Sequence, residues 1–260
     1  MTEQPQSRRA PLRAWQTMLL RLTAFPSPAA QITDANWWQD VVGQPPETRI
    51  SSPRSGELRE EGPFDTGVLT LTIQPLRIDW NYRISEQEEL QGEGLPAIGT
   101  FPEALERFLE VMTKWLTNYS PELQRLAFGT VLLLRANDRG DAYEKLSDYL
   151  PDIKLDVDNS SDFFYQINRP RILTKGNTDI QINRLSKWSA LALTRALLQL
   201  NPQNISSGPI PLSEVHACRL ELDINTSADY TGQFASQILP EIFMALIDLG
   251  KEIAERGDIK

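Results

Sequence analysis

Between Val215 and Asn225, apolar and polar positions alternate without a break. His216, Cys218, Leu220, Leu222 and Ile224 take one parity; Ala217, Arg219, Glu221, Asp223 and Asn225 take the other. A period of two places successive side chains on opposite faces of a strand, so this segment is a strand with one dry face. The same pattern recurs over residues 66–85. There Leu69, Leu71 and Ile73 interleave with Val68, Thr70 and Thr72, and Pro75 divides the run into two strands or bends it. Residues 123–137 read as a buried strand, because Val131 to Leu134 are apolar on both parities. Residues 162–173 and 178–188 read as two strands joined across Gly176 and Asn177. In residues 189–200 composition favours helix, while Leu191 and Leu193 continue the strand alternation; a strand running into a short helix is expected.

A period near 3.6 takes over elsewhere. After Thr100, with Glu103 three places on and Pro102 in the first turn, Leu105, Phe108, Leu109, Met112 and Leu116 form one apolar stripe. A second stripe, Ile242, Phe243, Leu246, Leu249 and Ile253, marks a C-terminal helix, and a short helix begins at Asp141 and stops near Pro151. The two long helices open alike, "FPEALERFLEVM" against "LPEIFMALIDLG", each after a strand and a loop. The expected fold is α+β: a largely antiparallel sheet with helices packed on one face, built from two similar strand–loop–helix halves. Residues 67–260 form this single domain. Residues 43–66, rich in Pro, Gly, Ser and charge, read as an extended linker. Leu12, Trp15, Leu19 and Leu22 fall at helical spacing, so residues 1–42 read as an amphipathic arm that packs on the body. The outline of a twin-arginine export signal at Arg8 and Arg9 is weakened by Pro11 and by Arg21 inside the apolar run.

Composition narrows the chemistry. Thirty-five acidic against 26 basic residues give a net charge of −9, which repels phosphate backbones and disfavours generic nucleic-acid binding; local contact by the arginine-bearing arm is the weaker option. One cysteine excludes an internal disulfide, one histidine leaves few transition-metal ligands, and no uninterrupted apolar run has the length of a membrane span. A cytoplasmic protein is expected.

Three constellations could carry function. His216 and Cys218, two residues apart, share parity with three aliphatic residues; a reactive thiolate needs an electropositive, partly open setting, so the pair is expected to be core. Asp152, Asp156, Asp158 and Asp162 have the spacing that opens a calcium loop. The match fails where Ser161 replaces the turn glycine and Ile167 the closing glutamate, leaving a polar turn. The best candidate for a ligand or partner is the basic, aromatic set around the central hairpin: Arg169, Arg171, Arg184, Lys187 and Trp188, with Asn168, Lys175 and the carboxylate of Asp162 nearby. Arg219, Glu221 and Asp223 read as a charged outer strand face, and Trp37 and Trp38 as an aromatic anchor or as core. No P-loop, dinucleotide-binding glycine pattern or G-x-S-x-G elbow occurs, and no catalytic residue, metal ligand or cofactor is assigned.

The blocks "GVLTLTIQPLRIDW", "SSDFFYQINRPR", "INRLSKWS" and "ACRLELDINT", with the C-terminal "LPEIFMALIDLGKEIAERGDIK", resemble a patchily distributed family of bacterial conserved hypothetical proteins of unknown function, over roughly residues 64–260. The resemblance implies a bacterial, cytoplasmic α+β protein and carries no activity. Taken together, these readings predict a non-enzymatic binding or assembly protein. It would be an accessory, inhibitor or immunity-type component that meets a partner protein or a second copy of itself. The alternative is an enzyme or receptor that takes a small anionic ligand on Arg169, Arg171, Arg184 and Lys187.

Overall fold

A computed structural model describes residues 9–30, 32, 36–91, 94–175, 178–197, 210–230 and 232–259. Ten strands form one antiparallel sheet. In chain order they are β1 (Trp15–Pro26), β2 (Thr48–Ser52), β3 (Glu57–Phe64), β4 (Gly67–Gln74), β5 (Arg77–Arg83), β6 (Leu123–Ala136), β7 (Phe164–Asn168), β8 (Arg171–Lys175), β9 (Thr178–Leu197) and β10 (Ile210–Thr226). The spatial order is β2-β3-β4-β5-β1-β6-β10-β9-β7, with β8 also on β9. The helices are α1 (Trp37–Val42), α2 (Glu86–Gln91), α3 (Phe101–Asn118), α4 (Arg139–Tyr149) and α5 (Leu239–Arg256).

α1, α3, α4 and α5 lie over one face of the sheet. The contacts that fix them come from a single strand parity: Trp80 meets Trp38 and Trp115, Phe128 meets Phe243, and Cys218 meets Ala142. These residues and their aliphatic neighbours are buried and make up the core, each large apolar side chain contributing about 2 kcal/mol on removal from water. The α+β architecture with helices on one face is the one expected from the sequence.

Its two halves share an order of elements. β1, α1, the hairpins through β5, and α3 run in the same sequence as β6, α4, the hairpins through β10, and α5. β1 and β6 pair antiparallel at the centre, with Arg21 opposite Gly129. Outward from them β5 and β4 correspond to β10 and β9. β7 and β8 both pair with β9, one after the other across Arg169 and Pro170, so together they occupy the place that β3 holds beside β4. β2 has no counterpart among the described residues. α3 and α5 are both 18 residues long with proline at the second position, the feature that the matching "FPE" and "LPE" openings recorded.

Three segments differ from the sequence reading. Residues 15–26 are a central strand, not a helical arm. A bulge at Met18 shifts the register between Thr17 and Leu19, so Trp15 and Thr17 share a buried face with Leu20, Leu22 and Ala24. That extra residue breaks the period of two and creates spacings resembling a helix. Residues 43–66 hold β2 and β3, whose hairpin turns through Gly56 at φ 65°. Strands near a sheet edge can be polar on both parities, and all five β2 residues are exposed. Residues 189–197 continue β9 as strand, and 198–209 lie outside the described residues, as do Gly176 and Asn177 of the predicted turn. Trp37 and Trp38 are buried under α3 and belong to the core. Among the described residues, no helix is long and apolar enough to cross a membrane.

Candidate functional site

The sheet divides the basic hairpin set between its two faces. Pairing of β7 with β9 brings Arg169 beside Arg184: the Arg169 N–H donates to the Arg184 carbonyl (3.2 Å), and the Asn168 side chain accepts from the Arg184 N–H (2.9 Å). On the helix side Arg169 forks onto Asp258 at 2.6 and 2.7 Å, and the Tyr165 hydroxyl donates to the same carboxylate (2.9 Å). Arg171 and Arg184 both reach Glu252 of α5, at 2.8 and 3.4 Å, and Lys175 reaches Glu241 at 3.2 Å. The Arg184 side chain is only 2% exposed; burial and the adjacent Arg171 pull its guanidinium below the ordinary value, and Glu252 acts against them. Trp188 is core: its indole N–H donates to Ser186 Oγ and its ring stacks on Tyr149. These groups form an ion-pair staple between the hairpin, α5 and the segment after it. Lys187 has the other parity and pairs with Glu221 (3.5 Å) on the face away from α5.

Cys218 and His216 point to the helix side, as alternation requires, but into different surroundings. Cys218 is fully buried beneath α4, its thiol donates to the Ala142 carbonyl (3.0 Å), and desolvation pushes its pKa up to about 12. His216, two residues closer to the strand's start, has its side chain 17% exposed and lines a cleft of about 260 Å³. The cleft lies between α4, β9, β10 and the turn at Asp162, and Arg139, Tyr143, Asp162, Glu214 and His216 share its wall. Asp162 adopts φ 55° and stands in this cleft, away from the hairpin arginines with which the sequence reading grouped it. Upstream in the same loop, Asp156 accepts from the Asn159 backbone and side-chain N–H groups, bonds that lower its pKa. Among the described residues, no group of three or more His, Cys, Asp and Glu side chains is placed to hold a metal ion.

Among the described residues, the face away from α1, α3, α4 and α5 meets only α2, at its rim, where Glu86 stands 3.8 Å from Arg83; it is a field of paired charges. Arg77 forks onto Asp79 (2.6 and 3.0 Å), which also accepts from Thr23 (2.6 Å); Arg219 and Lys187 meet on Glu221; Arg59 and Arg83 meet on Glu61. At its centre Arg21 reaches Asp223 (3.3 Å) across Gly129. A β-carbon on residue 129 would stand 3.0 Å from the Arg21 Nε and Nη2 atoms, so the glycine is what lets the guanidinium lie flat on the central strand. The result is a notch of about 220 Å³ walled by Arg21, Lys187, Glu221 and Asp223. Ile50, Phe164 and Ile172 are each more than half exposed. Their registers with Arg59, Ser189 and Gln181 place all three on this face, Ile50 at one end and the other two at the opposite end.

Sequence reasoning marked Arg21 only as a break in an apolar run and did not single out Gly129, Arg139, Tyr143 or Glu214. The glycine inside an otherwise apolar strand was the available signal for the notch. For the cleft there was none, since its walls come from segments far apart in the chain. No family model, curated protein or solved structure matches the chain.

Proposed function

We propose that the chain is a non-enzymatic binding protein whose charged sheet face, opposite α3 and α5, receives a partner protein, as an accessory or inhibitor-type component of a bacterial multi-protein system. The observation that supports this reading is the placement of exposed apolar side chains. Ile50, Phe164 and Ile172 stand exposed on this one face, at both ends of a band of pre-paired charges. Charges already paired with fixed geometry cost less to cover than unpaired ones, because fewer of them are left unpartnered when water leaves. The hairpin arginines support the choice over a small anionic ligand: Arg169, Arg171 and Arg184 already face Asp258 and Glu252.

The test is affinity capture from the source lysate, paired with light scattering of the purified chain. Ile50→Asp, Phe164→Asp and Ile172→Asp should each abolish the same captured species or the same self-association, while Glu106→Lys on the outer surface of α3 should leave it intact. A monomer whose capture profile is identical in all four variants would remove the reading.

A further inference from the structure

The cleft at His216 has a chemistry of its own. On the helix face of β9, Trp188 is followed at the same parity by Ala190 and Ala192, which stand opposite Cys218 and His216 in register. Ala142 of α4 also lines the space. Where the preceding position carries an indole, three methyl groups leave the gap between helix and sheet unfilled, and that gap is the cleft.

Its rim carries both signs of charge without neutralising them. Arg139 makes no ion pair among the described residues; its guanidinium lies over the Tyr143 ring, 4.8 Å from the centroid. Asp162 likewise makes neither a hydrogen bond nor an ion pair among the described residues, although its left-handed backbone (φ 55°) projects it at the same cavity. Glu214 stands 3.7 Å from His216 Nε2, beyond a hydrogen bond. A simple anion would meet Asp162 and Glu214, a simple cation would meet Arg139, and the donors are not grouped for a metal ion. A molecule with a positive and a negative group a few bonds apart satisfies both sides at once, and about 260 Å³ accommodates one the size of a free amino acid.

We propose that this cleft binds a small zwitterion of the α-amino-acid class, its carboxylate on Arg139, its ammonium on Asp162 and Glu214, and its side chain over the alanine floor. The site is separate from the charged face proposed to meet a partner and stands or falls independently of it.

Isothermal titration of the full chain with each of the twenty free amino acids tests it. At least one should bind saturably. Its N-acetyl derivative, which lacks the ammonium, and its amide, which lacks the carboxylate, should each bind at least about tenfold more weakly. Arg139→Gln should reproduce the loss seen with the amide, and Asp162→Asn the loss seen with the N-acetyl derivative. Both side chains are exposed, so unchanged melting temperatures will show that the variants fold. Absence of saturable binding by all twenty, or binding that survives both derivatives and both variants, overturns the proposal.

Discussion

The two halves of the sheet place the same elements in the same order, yet they treat buried polarity in opposite ways. In the C-terminal half, buried donors find acceptors: Trp188 meets Ser186, Cys218 meets the Ala142 carbonyl, and Arg184 reaches Glu252. Trp15 of β1 belongs to the N-terminal half but borrows its acceptor from the other: packed edge-on against Trp188 and Tyr149, it donates to the Ala254 carbonyl of α5 (3.1 Å). In the N-terminal half, Trp80 stacks on Trp38 and meets Trp115 edge-on, and the three indole nitrogens are buried without a hydrogen-bond partner among the described residues, as is Glu60 Oε2. Even the well-furnished half leaves such an atom among the described residues, Arg184 Nε. The difference teaches that topology alone does not set how firmly a half is held. Polar satisfaction does much of that, since an unpaired buried group costs about 1–3 kcal/mol.

The sharpest way to break the comparison is at the glycines that end α1 and α5. Both have positive φ, 85° at Gly43 and 78° at Gly257, but their surroundings differ. A β-carbon at Gly43 meets nothing within 4 Å, whereas at Gly257 it would sit 2.1 Å from the Tyr149 carbonyl oxygen. Gly257 pairs φ 78° with ψ −155°, a region essentially restricted to glycine. Gly257→Ala should therefore cost on the order of 4 kcal/mol or prevent folding, and Gly43→Ala about 1 kcal/mol. Urea denaturation of both variants measures the contrast; equal costs would show that the C-terminal turn is not a close-packed joint.

That turn delivers Asp258 to the hairpin, which sets the next largest effect. Asp258→Asn keeps the volume and removes the charge that Arg169 and Tyr165 address, for an expected loss of about 2 kcal/mol in thermal or urea unfolding. Loss below about 0.5 kcal/mol would reduce the staple to an ordinary surface pair.

Legibility in the sequence followed how local the causes were. The parity of residues 215–225 and the apolar stripe of residues 101–118 needed only a strand or helix period, and both elements formed where the periods place them. β1 was hidden because one inserted residue at Met18 put its alternation out of step. β2 and β3 were hidden because their Pro, Gly, Ser and charged residues match those of a loop. The hairpin arginines were visible as a cluster, but their partners Glu252 and Asp258 lie more than sixty residues away, on and just after a helix whose placement no local pattern states. The cleft was the least legible. His216 and Glu214 belong to one strand, Arg139 begins a helix, and Asp162 ends a polar loop. Only the folded arrangement brings them together.

Glu60 sharpens the contrast between the halves at its weakest point. It lies in a polar, linker-like stretch of sequence, yet it stands on the helix side of β3 with its side chain 2% exposed, in register with Leu71, which pairs in turn with Trp80. Its nearest cation, Arg49 on the edge strand, is half exposed and 3.5 Å away. Desolvation raises the Glu60 pKa above the ordinary 4.5, and Arg49 offsets this only in part. The raised value sets the sign: the folded state holds the proton more tightly than the unfolded chain. The favourable contribution is therefore fully present below pH 4.5 and is lost as the pH climbs through the folded value. Glu60→Gln removes that titration, so the variant should be more stable than the parent at pH 7 by about 1 kcal/mol, with the gap closing on acidification. Melting temperatures of both chains between pH 4 and 7 would show it. If Glu60→Gln instead destabilises at neutral pH, the carboxylate is a stabilising member of the N-terminal core, and the two halves differ less in how they accommodate buried charge than their hydrogen bonds indicate.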